Sequence, residues 1–402
     1  MDNNISGYFE NYIETASLFT DRAVFSPTYT PDTLLHREEQ MKQVAQTLAP
    51  CLKLQKPSNL FIYGKTGTGK TLTVRYVTDQ IISVCKKRDI PVTILSINCK
   101  LKKTADTEYR LIAHLARELG KEIPATGLPT EEVYSIFLSA VRDSKAIVIL
   151  VLDEIDELVK KAGDEALYTL TRINTELTGA QLSIVGISND LRFTDYLDPR
   201  VKSSLAGEEI VFPPYNAIQI QHILRQRSEQ GFGEGVLAPG LIEKCAAIAA
   251  REHGDSRRAL ELLRVAGELA ERIGSKTVDI KHLDQAEQKI ECDRLLSAVS
   301  SSPKQSQLVL YSAIRIFGEK PTEPVFTGQV YDVYLTMCTK VGLRPLTQRR
   351  ISDVLAELDM LGIISSKIIS KGRYGRTREI LIPLDSATLS QTRQALEEGL
   401  DL

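Results

Sequence analysis

Several protein classes are excluded by what the sequence does not contain. No stretch reaches the roughly 18 consecutive apolar residues of a membrane span, so no membrane partner is expected. Met1-Asp2-Asn3-Asn4 provides neither the basic start nor the apolar core of a secretory signal. The six cysteines, at 51, 85, 99, 245, 292 and 338, are scattered and form no C-x-x-C pair. That pattern argues against structural zinc and fits a reduced cytoplasmic compartment. There is no surplus of either charge: Lys+Arg 50 against Asp+Glu 52 leaves a net charge of -2. A nucleic-acid partner can therefore be argued only from local charge. Internal repeats and low-complexity tracts are absent too. At 402 residues, 43% hydrophobic and 25% charged, the chain reads as a soluble globular protein of two or three domains.

Against that plain background stands Gly64-Lys65-Thr66-Gly67-Thr68-Gly69-Lys70-Thr71. The apolar run Leu60-Phe61-Ile62-Tyr63 before it reads as a buried strand, and Leu72 to Val77 after it as the start of a helix. This is G-x-x-x-x-G-K-[ST] in its strand–loop–helix context. Glycines let successive N–H groups turn inward toward phosphate oxygens, and the helix N-terminus adds a partial positive charge. Lys70 can reach terminal phosphates and the Thr71 hydroxyl can ligate Mg²⁺. The reading is a nucleoside triphosphate site.

Residues 1–35 are polar and aromatic, and Phe25 to Pro31 is expected as an extended arm because of Pro27 and Pro31. From 36 to 214 strands alternate with helices, which predicts a parallel α/β sheet. A helix near 36–52 carries Met41, Val44, Ala45 and Leu48 at helical spacing. The apolar run Ala146 to Leu152 fits a central strand and ends in Asp153-Glu154. Open α/β sheets place their ligands at such strand ends, where Asp153 would hold Mg²⁺ and Glu154 would polarise an attacking water. Asn189 ends the next strand, where it can orient water or simply occupy a turn. Asp198-Pro199-Arg200 offers Arg200 as an arginine finger or as an ordinary surface arginine. After Pro213-Pro214 the pattern becomes all-helical, from 215 to 299. Tyr215 at that junction can pack on a base, and Arg227 lies on the following helix; neither is decided by the residues alone. Asp255-Ser256-Arg257-Arg258 opens a helix with two cations in its first turn, where they oppose the helix dipole. A phosphate reached across a cleft would offset that.

Beyond the linker Ser300-Ser301-Ser302-Pro303, residues 303–402 form a third unit. Thr347 is the expected N-cap of a helix opening with Gln348, Arg349 and Arg350. Ile351, Val354, Leu355, Leu358 and Leu361 form its apolar stripe, and Gly362 stops it. Two β-prone runs follow, joined through Lys371, Arg373, Tyr374 and Arg376 and continuing to Arg378, with no acid from Ser365 to Arg378. This has the form of a winged helix, suited to a major groove through its helix and to a minor groove or backbone through its wing. A protein-interaction winged helix shares the same pattern.

Taken together these residues resemble the archaeal origin-recognition and cell-division-cycle type DNA replication initiators, an AAA+ ATPase family. The likeness runs from about Phe19 to the end. It rests most on Ser188-Asn189-Asp190-Leu191, Leu197 to Leu205, Phe212-Pro213-Pro214-Tyr215 and Gly254 to Leu260. The resemblance implies an AAA+ base, an all-α lid and a C-terminal winged helix. It implies Asn189 as sensor one, Arg200 as a finger acting on a neighbouring subunit's nucleotide, and Arg257 as sensor two. Tyr215 and Arg227 match nucleotide-pocket positions, and His36-Arg37-Glu38 a stretch near the adenine. Residues 104–119, with Lys102 and Lys103 just before them and Arg110 within, occupy the place of a DNA-touching insertion. It further implies ATP or ADP with Mg²⁺ as ligands, origin duplex DNA, an MCM-type replicative helicase and other initiator subunits as partners, and a cytoplasmic, nucleoid-associated location. The expected activity is ATP-dependent origin binding and helicase recruitment, with slow hydrolysis as a switch. A clamp-loader or helicase-type ATPase, or a nucleotide-regulated winged-helix transcription factor, would share much of the pattern.

Overall fold

The structure, a computed structural model, describes residues 17–100, 107–124, 127–205, 207–319, 324–370 and 376–402, without the side chains of 319, 370 and 376. The chain divides into two compact units, Met1–Leu283 and Asp284–Leu402. Among the described residues no helix is long and apolar enough to cross a membrane.

The first unit is built on five parallel strands in the order β2-β3-β4-β1-β5. They are β1 (Asn59–Tyr63), β2 (Val92–Asn98), β3 (Ile147–Asp153), β4 (Gln181–Ser188) and β5 (Gly207–Val211). Strand β1 is buried along its whole length, and β3 up to its terminal Asp153, as strands covered on both faces must be. One apolar core gathers Leu111, Phe137 and Leu150; the opposite one gathers Val44, Leu48, Ile62 and Ile149. Helix α1 (Glu38–Leu48) and helix α2 (Lys70–Arg88) flank β1 in sequence. In α1 the buried residues are Val44, Thr47 and Leu48, whereas Ala45 is exposed. The expected stripe is thus corrected by one position: the Thr47 hydroxyl is tolerated inside because it donates to Gln43 O and to Glu208.

Helices α3 (Glu108–Glu118) and α4 (Thr130–Ser144) lie between β2 and β3; α5 (Ile155–Ala162) and α6 (Glu165–Arg172) follow β3. Helix α7 (Pro199–Ser204) precedes β5. The lid helices are α8 (Ala217–Gly231), α9 (Leu241–Arg251) and α10 (Ser256–Arg272). The early segment expected as an extended arm is in part packed against this lid. Phe19 stacks on Phe232 with centroids 4.5 Å apart, Phe25 is 5.1 Å from Phe232, and Glu271 accepts from Ser17, from the Leu18 N–H and from Arg22. Aromatic burial outweighs the proline-rich stretch that follows it.

The division between units falls within α11 (Ile280–Ser301), so Ser300 and Ser301 still belong to a helix. The second unit continues with α12 (Lys304–Glu319), β6 (Val325–Phe326), α13 (Thr327–Val341), α14 (Gln348–Met360), β7 (Ser365–Ser370), β8 (Arg376–Leu381) and α15 (Ser386–Leu400). Its antiparallel sheet runs β6-β8-β7. This is a winged helix. Helix α14 buries Ile351, Val354, Leu355 and Leu358. Leu361 does not join them and is 60% exposed. The helix ends at Met360, Gly362 adopts φ 71°, and the Ile363 N–H turns back to Leu358 O, so the stripe stops one turn early.

Candidate nucleotide cleft and nucleic-acid face

The loop between β1 and α2 is shaped by hydrogen bonds to its carbonyls. Lys70 Nζ donates to Gly64 O and Lys65 O, both at 2.7 Å, and to Asn189 Oδ1 at 2.8 Å. The Thr68 hydroxyl donates to Lys65 O at 2.9 Å. From the lid, the Ser256 hydroxyl donates to Gly67 O at 2.7 Å. Arg37 Nε donates to Thr68 O at 2.9 Å. A trans peptide directs its C=O and the next N–H oppositely. Holding Gly67 O and Thr68 O therefore fixes the directions of the Thr68 and Gly69 N–H groups. Gly67 and Gly69 lie at φ 69° and 88°. A Cβ at Gly67 would sit 1.7 Å from Asp255 Oδ1 on the lid. The close approach of the lid thus requires a glycine there, as does the left-handed backbone.

Strand β3 delivers Asp153 to this loop. The Thr71 hydroxyl donates to both its carboxylate oxygens, at 3.1 and 3.2 Å, and the Glu154 N–H to Oδ1 at 3.0 Å. Burial pushes the Asp153 carboxyl up, against the pull of Thr71, Glu154 N–H, Arg257 and Lys70. Lys70 is pushed down to about 8, first by burial and then by Arg257, while Asp153, Asp156 and Glu154 oppose the shift. Arg257, on the first turn of α10, is therefore within electrostatic reach of both groups. Two hard oxygen ligands, Thr71 Oγ1 and the Asp153 carboxylate, already sit together, and this donor set fits a small divalent cation such as Mg²⁺. Glu154 holds φ 55°, an uncommon conformation for a side-chain-bearing residue, and lies 3.7 Å from Lys100 Nζ.

A cleft of about 130 Å³ continues from Gly67, Gly69 and Thr71 past Leu72, Tyr29, Tyr215 and Arg227 to Arg257. The Arg227 guanidinium lies over the Tyr29 ring, 4.5 Å from its centroid. It is 5% exposed, and its Nε and Nη1 have no hydrogen-bond partner among the described residues. A buried cation in that state fits an anionic or hydrogen-bond-accepting ligand. One face of Tyr215 is taken by the Arg37 guanidinium, 3.9 Å from its centroid. Arg200 stands away from these groups. Its side chain is 80% exposed and folded back on Asp198, the N-cap of α7, at 3.1 Å. Arg258 turns to Glu252 at 3.1 Å, which leaves Arg257 as the member of the pair that faces the cleft.

Residue types alone did not single out Asp156 or the role of Arg37. Asp156, 7% exposed, accepts from the Ser188 hydroxyl at 3.1 Å and from the Asn189 N–H at 3.4 Å, and so orients the end of β4. Its signal was its place three residues after Asp153. The stretch His36-Arg37-Glu38 carries no signal of the carbonyls that Arg37 meets.

In the second unit Thr347 caps α14 through the Arg350 N–H. Gln348, Arg349 and Arg350 are exposed, and Gln348 and Arg349 line a groove of about 460 Å³ with Thr327, Ser352, Ile368, Thr377 and Arg378. Arg378 Nη1 donates to the Ser366 hydroxyl at 3.1 Å, and Ser366 Oγ to Asp359 at 2.9 Å. Arg350 is 3.7 Å from Asp353. Lys371, Arg373, Tyr374, Lys102 and Lys103, and the Arg376 side chain, lie outside the described residues.

Three family descriptions match successive parts of the chain: an AAA domain at residues 53–193, a Cdc6 AAA+ ATPase-type lid domain at 221–288, and a CDC6 C-terminal winged helix domain at 297–392. The chain is 51% identical over 383 residues to an ORC1-type DNA replication protein of Thermococcus onnurineus, covering 94% of this chain and 91% of the relative. The Pyrococcus abyssi protein of the same description is 53% identical over 376 residues, with 92% and 89% covered. The chain belongs to the ORC1-type DNA replication protein family. Among solved structures, the Aeropyrum pernix ORC1 protein in complex with DNA is similar to this ORC1-type chain at a TM-score of 0.82 and 43% identity, over 95% of this chain and 97% of that one. Cdc6p of Pyrobaculum aerophilum, at 23% identity and a TM-score of 0.60 over 96% and 99% of the two chains, shares the fold.

Proposed function

We propose that this ORC1-type chain is an ATP-dependent replication initiator that binds origin duplex DNA and helps recruit an MCM-type replicative helicase. ATP binding and slow hydrolysis act as a switch rather than a motor. The observation that carries the reading is the likeness, over nearly the whole of both chains, to an ORC1 protein solved on DNA. The cleft geometry supports its nucleotide half.

In this reading residues Gly64 to Leu72 cradle ATP or ADP phosphates, and Lys70 leaves its loop carbonyls to meet them. Thr71 and Asp153 would hold Mg²⁺, which supplies positive charge to the phosphate oxygens. Glu154 accepts the proton of the attacking water, and Asn189 orients that water after Lys70 moves away. Arg257 reads the terminal phosphate from the lid. Tyr215 and Arg227 hold the base end, and Arg200, exposed on its own subunit, serves a neighbour's nucleotide. Gln348, Arg349 and Arg350 read bases from α14, while Lys371, Arg373, Tyr374, Arg376 and Arg378 engage the backbone or minor groove. Residues 36–214, 215–299 and 303–402 act as base, lid and DNA-binding domain.

The test is footprinting on the source organism's own origin-proximal DNA with and without ATP. A protected tract that depends on nucleotide and on the origin sequence is expected. Protection that ignores both would overturn the reading, and promoter-centred protection would favour a transcription factor.

A further inference from the structure

Arg37 is placed where one guanidinium meets two remote parts of the first unit. It is the N-cap residue of α1, follows His36 at φ 61°, and is only 3% exposed. Nε donates to Thr68 O of the phosphate loop at 2.9 Å. Nη2 donates to Pro213 O, in the connection from β5 to the first lid helix, at 2.6 Å. The flat of the group lies 3.9 Å from the Tyr215 centroid and 5.5 Å from that of Phe212. Arg37 does not line the cleft; it stands behind the loop.

We propose that Arg37 is a positioning residue that couples the nucleotide loop to the base–lid hinge. The proposal rests on reading the cleft as a nucleotide site. Its first leg is the Thr68 carbonyl: a planar trans peptide held at that oxygen aims the Gly69 N–H away from Arg37. Its second leg is the hinge. Pro213 O and the Tyr215 ring are fixed to the same planar fork, so the loop and hinge cannot shift independently without losing a bond or a stacking face. From the hinge the contacts run on to the lid. A Cβ at Gly254 would lie 2.4 Å from Tyr215 O, so the turn before α10 is packed directly on the hinge backbone. The next residues but one close the circuit, because Ser256 donates to Gly67 O in the loop where the circuit began. Phosphates that re-aim the peptides of this loop must therefore act on the lid by two routes, directly through Ser256 and around the back through Arg37.

Charge alone does not explain the choice of residue. A lysine would carry the same charge but could neither span two divergent carbonyls with a rigid fork nor stack on two rings. A buried cation held mainly by carbonyls and aromatic faces is also a costly way to stabilise a fold.

The test compares the full wild-type chain with Arg37→Lys, using fluorescent ADP with Mg²⁺ as the probe and hydrogen exchange at the Tyr215 and Asn216 amides and at 254–257 as the hinge and lid readouts. The nucleotide-free melting temperature serves as the folding control. Wild type is expected to bind and to gain protection at both segments. Arg37→Lys is expected to bind about tenfold more weakly and, even at saturating ADP, to gain little protection at 215–216, while the direct Ser256 route keeps part of the gain at 254–257. Wild-type protection in the variant at saturation, whatever its affinity, would overturn the coupling. If Arg37→Lys does not fold, Tyr215→Leu keeps both carbonyl bonds and removes one stacking face. At saturating ADP, which removes any effect of Tyr215 on affinity, reduced protection in that variant supports the proposal, and wild-type protection overturns it. Failure of wild type to bind ADP, or equal binding by Lys70→Ala, would instead bring down the nucleotide reading itself, and the coupling with it.

Discussion

The nucleotide cleft and the winged-helix face hold their charged groups in opposite ways. At the phosphate loop, Lys70 is bonded to two loop carbonyls and Asn189, Asp153 to Thr71, and, behind the loop, Arg37 to the Thr68 and Pro213 carbonyls. These partners come from three separate stretches of chain, the 64–71 loop, Asn189 and Pro213. On the winged helix, Arg349 is exposed, and Arg350 reaches along its own helix to Asp353. Each charged group of this site is held by several fixed partners, so perturbing one removes a defined contact. The described cations of α14 are exposed, so contributions they make to holding a polyanion are graded and screened by salt. The exception sharpens the contrast: Arg378 is held by Ser366, itself held by Asp359, so one member of the face is fixed as firmly as the cleft.

That contrast can be broken in order of expected effect. Glu154→Gln should keep nucleotide binding and lower turnover by about a thousandfold, within the range of general-base losses. Near-normal single-turnover rates would remove Glu154 from the chemistry. Lys70→Ala should weaken nucleotide binding by about a hundredfold, as loss of a charge-assisted contact predicts; calorimetry showing unchanged affinity would reject the loop assignment.

Proton linkage gives the next test. Lys70 titrates near 8 rather than at the ordinary 10.5, so the free chain loses that charge as pH rises past 8. Bound phosphates favour the cation, so binding takes up a proton above that point. Affinity should be flat below pH 8 and fall by up to about tenfold per pH unit above it. Calorimetry at about pH 9 in two buffers of different ionisation heat reads the uptake, and equal heats would contradict it. The same depression means the unfolded chain binds more protons than the folded one between 8 and 10.5. This group's share of stability in the nucleotide-free chain therefore rises across that window.

On the face, Arg373→Ala with Arg376→Ala should weaken origin binding by about tenfold at moderate salt. It should also reduce the slope of log affinity against log salt by up to about two. An unaltered titration would take the wing off the DNA. Smallest is Ser256→Ala, which removes one neutral bond between lid and loop. About 1 kcal/mol, or roughly a fivefold faster release of ADP, is expected from stopped-flow measurements, and an unchanged rate would deny the contact a role in closure.

How much could be read in advance follows the same division. The phosphate loop and Asp153-Glu154 were legible because their chemistry fixes residue type at fixed spacing. The place of Arg37 is not legible in the same way, since its two remote backbone partners are 31 and 176 positions away. Strand β5 is not legible as a separate element, because Gly207, Glu208 and Glu209 lack the apolar alternation of a strand. As an edge strand it needs only Ile210 inside. Leu361 was misplaced because helical periodicity continues in sequence past the point where Gly362 ends the helix. The packing of Phe19 and Phe25 on the lid was hidden by distance along the chain.

That last contact bears on how the protein is made. Ser17 and its acceptor Glu271 are separated by 254 residues. At about 5–20 residues per second, a segment leaving the ribosome first waits roughly 10 to 50 s for the helix that completes its packing. During that interval Phe19 and Phe25 emerge with no lid to cover them. The lid is then the last part of the first unit to close, and its assembly requires Phe19 and Phe25 to have been kept from sticking elsewhere.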